Sequence, residues 1–166
     1  MLSHEVQRMF SYRPEQLFDI AADVECYPEY LPGFFAARII KCEGDVYCTE
    51  QVVGFGVFRK RITTRTELWR PERITVTSTD RQFRNFEMSW RFDPLPGNQC
   101  RISLRVDLEL RSRLAQDFFR RTITRLAEPI MSAFAARADR FHGSPAGVDP
   151  ETGDGDPVGP AISGSD

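Results

Sequence analysis

Side chains capable of acid–base or nucleophilic chemistry are few and scattered in this sequence. The two histidines, His4 and His142, lie near the two ends of the region expected to fold, where side chains are usually exposed. A Ser or Cys nucleophile needs a neighbouring base, most often a histidine. Asp19, Asp23 and Glu29 have no histidine partner nearby in sequence, so we interpret them as solvated or helix-capping carboxylates. We therefore predict no catalytic residues.

Metal and nucleotide motifs are also missing from the sequence. The cysteines form no C-x-x-C pair, and no His, Cys, Asp or Glu residues have the spacing of a zinc finger or a zincin. Gly54-Phe55-Gly56 lacks the rest of a phosphate-binding glycine motif and is better explained as a hairpin turn. We predict no metal site and no cofactor. The cysteines, for which nothing requires a disulfide, are Cys26, Cys42, Cys48 and Cys100.

Composition predicts one folded domain and a tail. Of the 166 residues, 41% are hydrophobic and 11% aromatic, which is enough for an apolar core. The formal net charge of −2 gives no global reason to bind nucleic acid, so we expect no DNA partner. Residues 1–142 carry 22 basic and 19 acidic groups and form the predicted domain. Residues 143–166 carry five acids and no basic residue, and they form a predicted disordered, acidic, Gly- and Pro-rich tail.

The sequence shows no sign of export or membrane insertion. Glu5 and Arg8 interrupt the N-terminus before a secretory signal could form. The most apolar stretch, residues 52–58, is far shorter than the roughly 20 residues of a transmembrane helix. We therefore expect a cytoplasmic protein.

Apolar spacing predicts an α+β fold. In the run 102–110 every second residue is apolar and the residues between are polar, which is typical of a half-buried strand. Similar runs between residues 36 and 110 predict an antiparallel meander of about six strands, preceded by an edge strand and two short helices. From Leu114 to about His142, apolar residues recur every three or four positions, which predicts one long helix, capped by Ser112 and kinked at Pro129.

Such a helix would cover the apolar face of the sheet, and a curved sheet packed on one helix often leaves an apolar gap. The inward-facing Phe, Met, Trp and Leu side chains suit either a filled core or a lined cavity. The residues alone leave both interpretations open.

The hairpin at residues 54–58 leads directly into three cations, Arg59, Lys60 and Arg61. Apolar residues at a turn followed by basic groups suit a loop that docks on anionic lipid. A buried hairpin with a solvated charge run explains the same residues. The candidate docking residues are Phe55, Val57, Phe58, Arg59, Lys60 and Arg61.

The segment Asp23-Val24-Glu25-Cys26-Tyr27-Pro28-Glu29-Tyr30-Leu31-Pro32 resembles the signature of the coenzyme Q-binding family, within the START-like (polyketide cyclase/dehydrase-like) superfamily. Further similar segments follow in family order at residues 63–65, 83–92, 106–110 and 133–138. The sequence departs from the family at residues 80–83, where Asp-Arg-Gln-Phe replaces the common Asp-Gly-Pro-Phe.

This resemblance implies a helix-grip fold, in which a curved antiparallel sheet of six or seven strands surrounds a C-terminal helix and leaves a hydrophobic tunnel. It also implies that the protein binds ubiquinone or a polyprenylated precursor, as a lipid chaperone for respiration and quinone biosynthesis at a bacterial inner membrane. Close relatives include a ribosome-association toxin, and the superfamily contains aromatase/cyclase enzymes. A ribosome-associated inhibitor of translation and a cyclase-type enzyme are therefore the alternatives.

In such a tunnel, Tyr27 and Tyr30 would hydrogen-bond a quinone carbonyl at the mouth, because tyrosine combines an apolar ring with a polar tip. The full set of expected ligand contacts is Tyr27, Tyr30, Leu31, Pro32, Phe55, Ile62, Phe86, Met88, Trp90, Leu104, Val106, Leu126, Ile130 and Phe134.

Overall fold

Seven strands form a single antiparallel sheet in the computed structural model, which describes residues 1–143. The strands are β1 Leu2–Phe10, β2 Phe34–Glu43, β3 Val46–Phe55, β4 Phe58–Trp69, β5 Arg73–Thr77, β6 Phe83–Leu95 and β7 Gln99–Leu110. Strands β2 to β7 are consecutive neighbours, and β1 joins the sheet beside β7. The predicted meander with an added edge strand is confirmed.

Two short helical segments follow β1, and one long helix follows β7. They are α1 Pro14–Ala22, a 3₁₀ turn Val24–Cys26, α2 Tyr27–Tyr30 and α3 Arg113–His142. The predicted cap of α3 is present, because the Ser112 hydroxyl accepts a hydrogen bond from the N–H of Ala115. Pro129 lies inside α3, which continues through it as one helix. The α+β helix-grip fold is therefore confirmed.

Strands of the meander such as β3 and β4 bury one side and expose the other, as the alternation predicts, whereas the edge strand β2 has no buried residue. On β4, Ile62, Thr64 and Thr66 are buried, whereas Thr63 and Arg65 are exposed. The inner side faces α3, which separates the apolar side chains of the sheet from water.

The C-terminal half of α3 closes a filled core. Phe134 is fully buried there, with its ring 5.9 Å from Phe10 and 5.3 Å from Trp90. Phe18 of α1 completes the cluster through Phe92, at 5.4 Å. Aromatic rings at these separations pack as densely as a protein interior allows. This end of the molecule anchors the helix to the sheet.

Two local features concern the connection at residues 80–83 and the C-terminal end of α3. The connection at residues 80–83 forms a turn without glycine, because the N–H of Phe83 bonds the carbonyl of Asp80 at 2.9 Å and the Asp80 carboxylate accepts from the N–H of Thr63 at 2.8 Å. The apolar stripe that predicts the long helix includes Phe141, but this side chain is exposed, and its ring instead contacts the Arg137 guanidinium. The predicted tail, residues 143–166, lies outside the described residues except for Gly143.

Candidate functional site

The N-terminal half of α3 covers a hollow instead of a core. A cavity of about 770 Å³ lies between this half of the helix and the inner side of the sheet, and every strand contributes to its wall. Its size falls within the range of about 300–1,000 Å³ that is usual for small-molecule sites. The large apolar side chains of the helix that line it are Leu114, Phe118, Phe119, Ile123, Leu126 and Ile130. Of the two interpretations that the residues left open, the structure has a lined cavity at this end and a filled core at the other.

Ten of the expected ligand contacts line this cavity. They are Tyr27, Pro32, Phe55, Ile62, Phe86, Met88, Leu104, Val106, Leu126 and Ile130. The sequence reasoning missed the first turns of α3, although Phe119 and Ile123 lie on the same predicted stripe as Leu126. It also missed Gln51 on β3 and Thr64 on β4, because a polar residue at an inward-facing position gives no apolar signal in the sequence.

The other four expected contacts lie outside the cavity wall. Trp90, Phe134 and Leu31 are buried in the core, where neighbouring side chains fill the space around them. Tyr30 lies beside the Arg137 guanidinium, 4.8 Å from the centre of its ring, and not at the mouth. These positions share the inward-facing pattern of the wall residues, which is why the sequence did not separate them.

The hydroxyls of Tyr27 and Tyr47, the two tyrosines that line the cavity, are not free to donate to a bound carbonyl. Tyr27 donates its O–H to the carbonyl of Ala21, and Tyr47 donates to the carbonyl of Ala22 at 2.7 Å. Burial raises the pKa of Tyr27 well above its ordinary value and the pKa of Tyr47 to about 12, so both phenols stay protonated at neutral pH. The Tyr27 hydroxyl is therefore not available for the predicted hydrogen bond to a quinone carbonyl. The Tyr30 hydroxyl has no partner within residues 1–143, but it is buried outside the cavity wall.

The ionisable groups around the cavity are basic. His4 was expected at the surface, but it is half-buried on β1 and lines the wall opposite Val106 of β7. Lys60 and Arg111 lie closer to the opening. No carboxylate lines the wall within residues 1–143, and no group of three metal-ligating side chains occurs in that part of the chain. The wall provides mainly apolar contact, with a few polar and basic groups.

Phe58 and Leu114 line the cavity and are largely exposed, so the cavity opens beside the hairpin that joins β3 to β4. Gly56, with a φ of 61°, takes the first place of its two-residue turn. Val57 is 91% exposed, Phe58 65% and Leu114 of the facing helix 85%. The hairpin tip is thus exposed, and the alternative of a buried hairpin is wrong.

Cations surround this apolar rim. The Arg59 guanidinium lies over the ring of Phe35 at 3.9 Å, Lys60 lines the cavity mouth, and Arg61 pairs with Glu50 at 2.9 Å. The outer side of the nearby helix adds the exposed Arg121 and Arg125. Within the described residues, no helix is both long and apolar enough to cross a bilayer.

A curved sheet that grips one helix around an apolar hollow defines a helix-grip protein with an internal ligand cavity. Residues 10–135 match the family described as "Polyketide cyclase / dehydrase and lipid transport", and the chain belongs to this family.

Individual relatives carry different names. The chain is 31% identical over 132 residues to the ribosome association toxin RatA of Escherichia coli K12, a match that spans 79% of this chain and 83% of that one. It is 26% identical over 150 residues to the coenzyme Q-binding protein COQ10 homolog B of Xenopus laevis, covering 86% of this chain and 60% of the relative. Its fold is similar to that of the ZhuI aromatase/cyclase of a Streptomyces species, with a TM-score of 0.77, 16% identity, and coverage of 89% of this chain and 99% of the other.

The two neighbouring tyrosines should respond oppositely to removal of their hydroxyls. The Tyr30 oxygen is buried and has no hydrogen-bond partner within residues 1–143, whereas the Tyr27 hydroxyl is paired. We expect Tyr27→Phe to lower the free energy of unfolding by about 1 kcal/mol, and Tyr30→Phe to leave it unchanged or raise it by up to about 1 kcal/mol. Urea denaturation of the two variants beside the wild type measures this difference, and an equal loss in both would contradict the assignment of hydrogen bonds.

Proposed function

We propose that this protein binds an amphipathic lipid, ubiquinone or one of its polyprenylated precursors, in the cavity between the sheet and α3, and carries it as a lipid chaperone. The observation that carries the proposal is the apolar hollow of about 770 Å³ with an opening at the surface. A protein interior is normally close-packed, so an apolar hollow of this size is suited to hold a bound molecule.

The hydrophobic effect would supply most of the affinity. Burying apolar surface yields about 25 cal/mol per Å², so 300 Å² of isoprenoid tail would contribute about 7 kcal/mol before the cost of ordering the tail. Wall residues such as Phe86, Met88 and Leu126 need only provide apolar contact. The family description, which includes lipid transport, and the coenzyme Q-binding relative support this choice of ligand.

The rim around the opening suits contact with an anionic membrane. Val57, Phe58 and Leu114 can enter the interface, while Lys60 and the neighbouring arginines lie at the level of lipid headgroups, each contributing about 1 kcal/mol. A ligand would then pass between bilayer and cavity without crossing water. We place this contact at the cytoplasmic face of a bacterial inner membrane.

Filling the cavity should remove the ligand without unfolding the protein. We expect organic extraction of the purified wild type, followed by mass spectrometry, to recover a prenylated quinone or precursor. In Val106→Trp, the indole would occupy the hollow, and we expect at least a tenfold drop in the recovered lipid. Arg101→Trp, on the exposed side of the same strand, is the matched control and should retain the ligand. No quinone-type lipid in the wild type, from a quinone-replete host, would refute the proposed ligand.

Membrane contact should depend on the hairpin tip. We expect the paired change Val57→Glu/Phe58→Glu to abolish flotation with vesicles that contain phosphatidylglycerol, because carboxylates at the tip oppose both burial and anionic lipid. Ile40→Glu places the same charge on an apolar side chain that is 49% exposed on β2, away from the opening, and serves as control. Equal vesicle binding by the tip variant and the wild type would exclude docking through this hairpin.

Association with the ribosome is the second candidate, favoured by the relative of that name. The exposed Arg121 and Arg125 of α3 could meet RNA phosphates, whereas other surface arginines already pair with acids, as Arg105 does with Asp107 at 2.8 Å. If this function holds, the protein should co-sediment with ribosomal subunits at 50 mM salt and dissociate by about 200 mM. Arg121→Glu/Arg125→Glu should prevent co-sedimentation, and Val106→Trp should not. Absence of the wild type from the ribosomal fractions at low salt would exclude this candidate.

A further inference from the structure

A small polar cluster lies in the cavity wall, away from the opening. It consists of Thr49 and Gln51 on β3 and Thr64 on β4, and Gln51 and Thr64 line the cavity. Gln51 is only 5% exposed and Thr64 2%. Gln51 is four residues from Phe55 at the opening, which on an extended strand corresponds to about 13 Å of depth.

Three close contacts join this cluster. The Nε2 atom of Gln51 lies 2.9 Å from the Thr49 hydroxyl oxygen and 3.1 Å from that of Thr64, and the two hydroxyl oxygens are 2.6 Å apart. These contacts need three hydrogens. The amide NH₂ supplies two and one hydroxyl supplies the third. With the amide reversed, the two hydroxyls would supply only two hydrogens, and one contact would join two acceptors. The number of available hydrogens therefore supports the orientation of the Gln51 amide in which Nε2, and not Oε1, faces the two threonine hydroxyls.

The amide oxygen of Gln51 is consequently left as an acceptor. Oε1 accepts no hydrogen bond within residues 1–143, and it is not sealed inside the protein, so it can be reached from the cavity. One threonine hydroxyl hydrogen also remains after the three contacts are satisfied. When Thr49 donates to Thr64, that hydrogen belongs to Thr64, whose side chain is on the wall. The cluster then presents an acceptor beside a donor.

We propose that this cluster binds a hydroxyl group on the buried end of the ligand. A hydroxyl can donate to Oε1 of Gln51 and accept from Thr64, whereas a carbonyl or an ether can only accept. Because a buried acceptor without a partner is costly, the subsite favours a phenol, a quinol or an alcohol over the corresponding ketone or ether. This inference rests on the proposed lipid binding and narrows the proposed ligands to those that carry a hydroxyl, the quinol or a phenolic precursor rather than the quinone itself.

The position of the cluster also sets the orientation of the ligand. Towards the opening, the inward-facing residues next to Gln51 and Thr64 are Val53 and Ile62, and the hairpin ends in exposed Phe55 and Phe58. A ligand with its hydroxyl on Gln51 would therefore direct its apolar tail to the mouth. The tail, not the head, would meet the membrane first.

The test uses one pair of probes that differ in a single donor. The full-length, delipidated protein is titrated with 4-nonylphenol and with 4-nonylanisole, its methyl ether, by displacement of 1-anilinonaphthalene-8-sulfonate fluorescence. We expect the preference of the wild type for the phenol to be about 2- to 10-fold greater than that of Gln51→Met, which is the effect of one neutral hydrogen bond. Thr64→Val should reduce the preference similarly, and it provides a second variant if Gln51→Met does not fold.

Thr63→Val, the same change as Thr64→Val but on the exposed side of β4, is the matched control and should keep the wild-type ratio. If both probes bind but the phenol-to-ether ratio is the same in the wild type and both polar variants, the subsite is refuted and lipid binding stands. If neither probe displaces the dye from the wild type, the proposed function fails, and the subsite fails with it.

Discussion

The packing of aromatic rings under the C-terminal half of α3 is the interaction on which the rest of the structure depends. Phe134 contacts Phe10 and Trp90 at ring separations of 5.9 and 5.3 Å, and Phe18 of α1 extends the cluster through Phe92. These contacts hold the helix at a fixed height above the sheet. Because one end of the helix is anchored in this way, the other end can cover space that no protein side chain fills.

The cavity follows from this division of the helix. Large rings occupy the interface near Phe134, whereas beyond Leu126 towards the N-terminus the facing strands present Val106, Met88 and Thr64, which do not reach across the gap. Between the basic side chains at the mouth and Gln51, the wall is formed by apolar residues such as Val53 and Ile62, and it becomes polar again at Gln51. Because apolar side chains line most of the cavity and the amide of Gln51 lies deeper in it, the cavity suits an amphipathic molecule better than a plain hydrocarbon.

Strand and helix positions could be predicted from the sequence because they depend on local periodicity. The alternation over 102–110 and the long stripe of the last helix each identify one apolar face, and the structure confirms both. Filled core and cavity could not be separated in the same way. Leu126 and Phe134 lie on the same stripe of α3, and only the width of the gap beneath each one decides its role.

Contacts between elements that are distant in the chain could not be predicted from the sequence either. His4 lines the wall because β1 pairs with β7, a register that no pattern within residues 2–10 encodes. The Tyr27 hydroxyl is engaged by the carbonyl of Ala21 because α1 ends beside it. Gln51 is polar on a buried face, and its significance appears only with Thr64 on the next strand.

Methyl NMR with a spin-labelled fatty acid tests most directly whether an accessible hollow lies under the N-terminal half of α3. With the protein labelled at its Ile, Leu, Val and Met methyls, we expect the label to broaden the signals of Ile62, Met88 and Leu126, which line the cavity. The methyls of Leu17, Ile102 and Met131, buried in the core and absent from the cavity wall, should broaden less because they lie farther from the label. Broadening restricted to exposed methyls, with Met88 and Leu126 as sharp as Met131, would show that nothing enters the hollow and would contradict the proposed function.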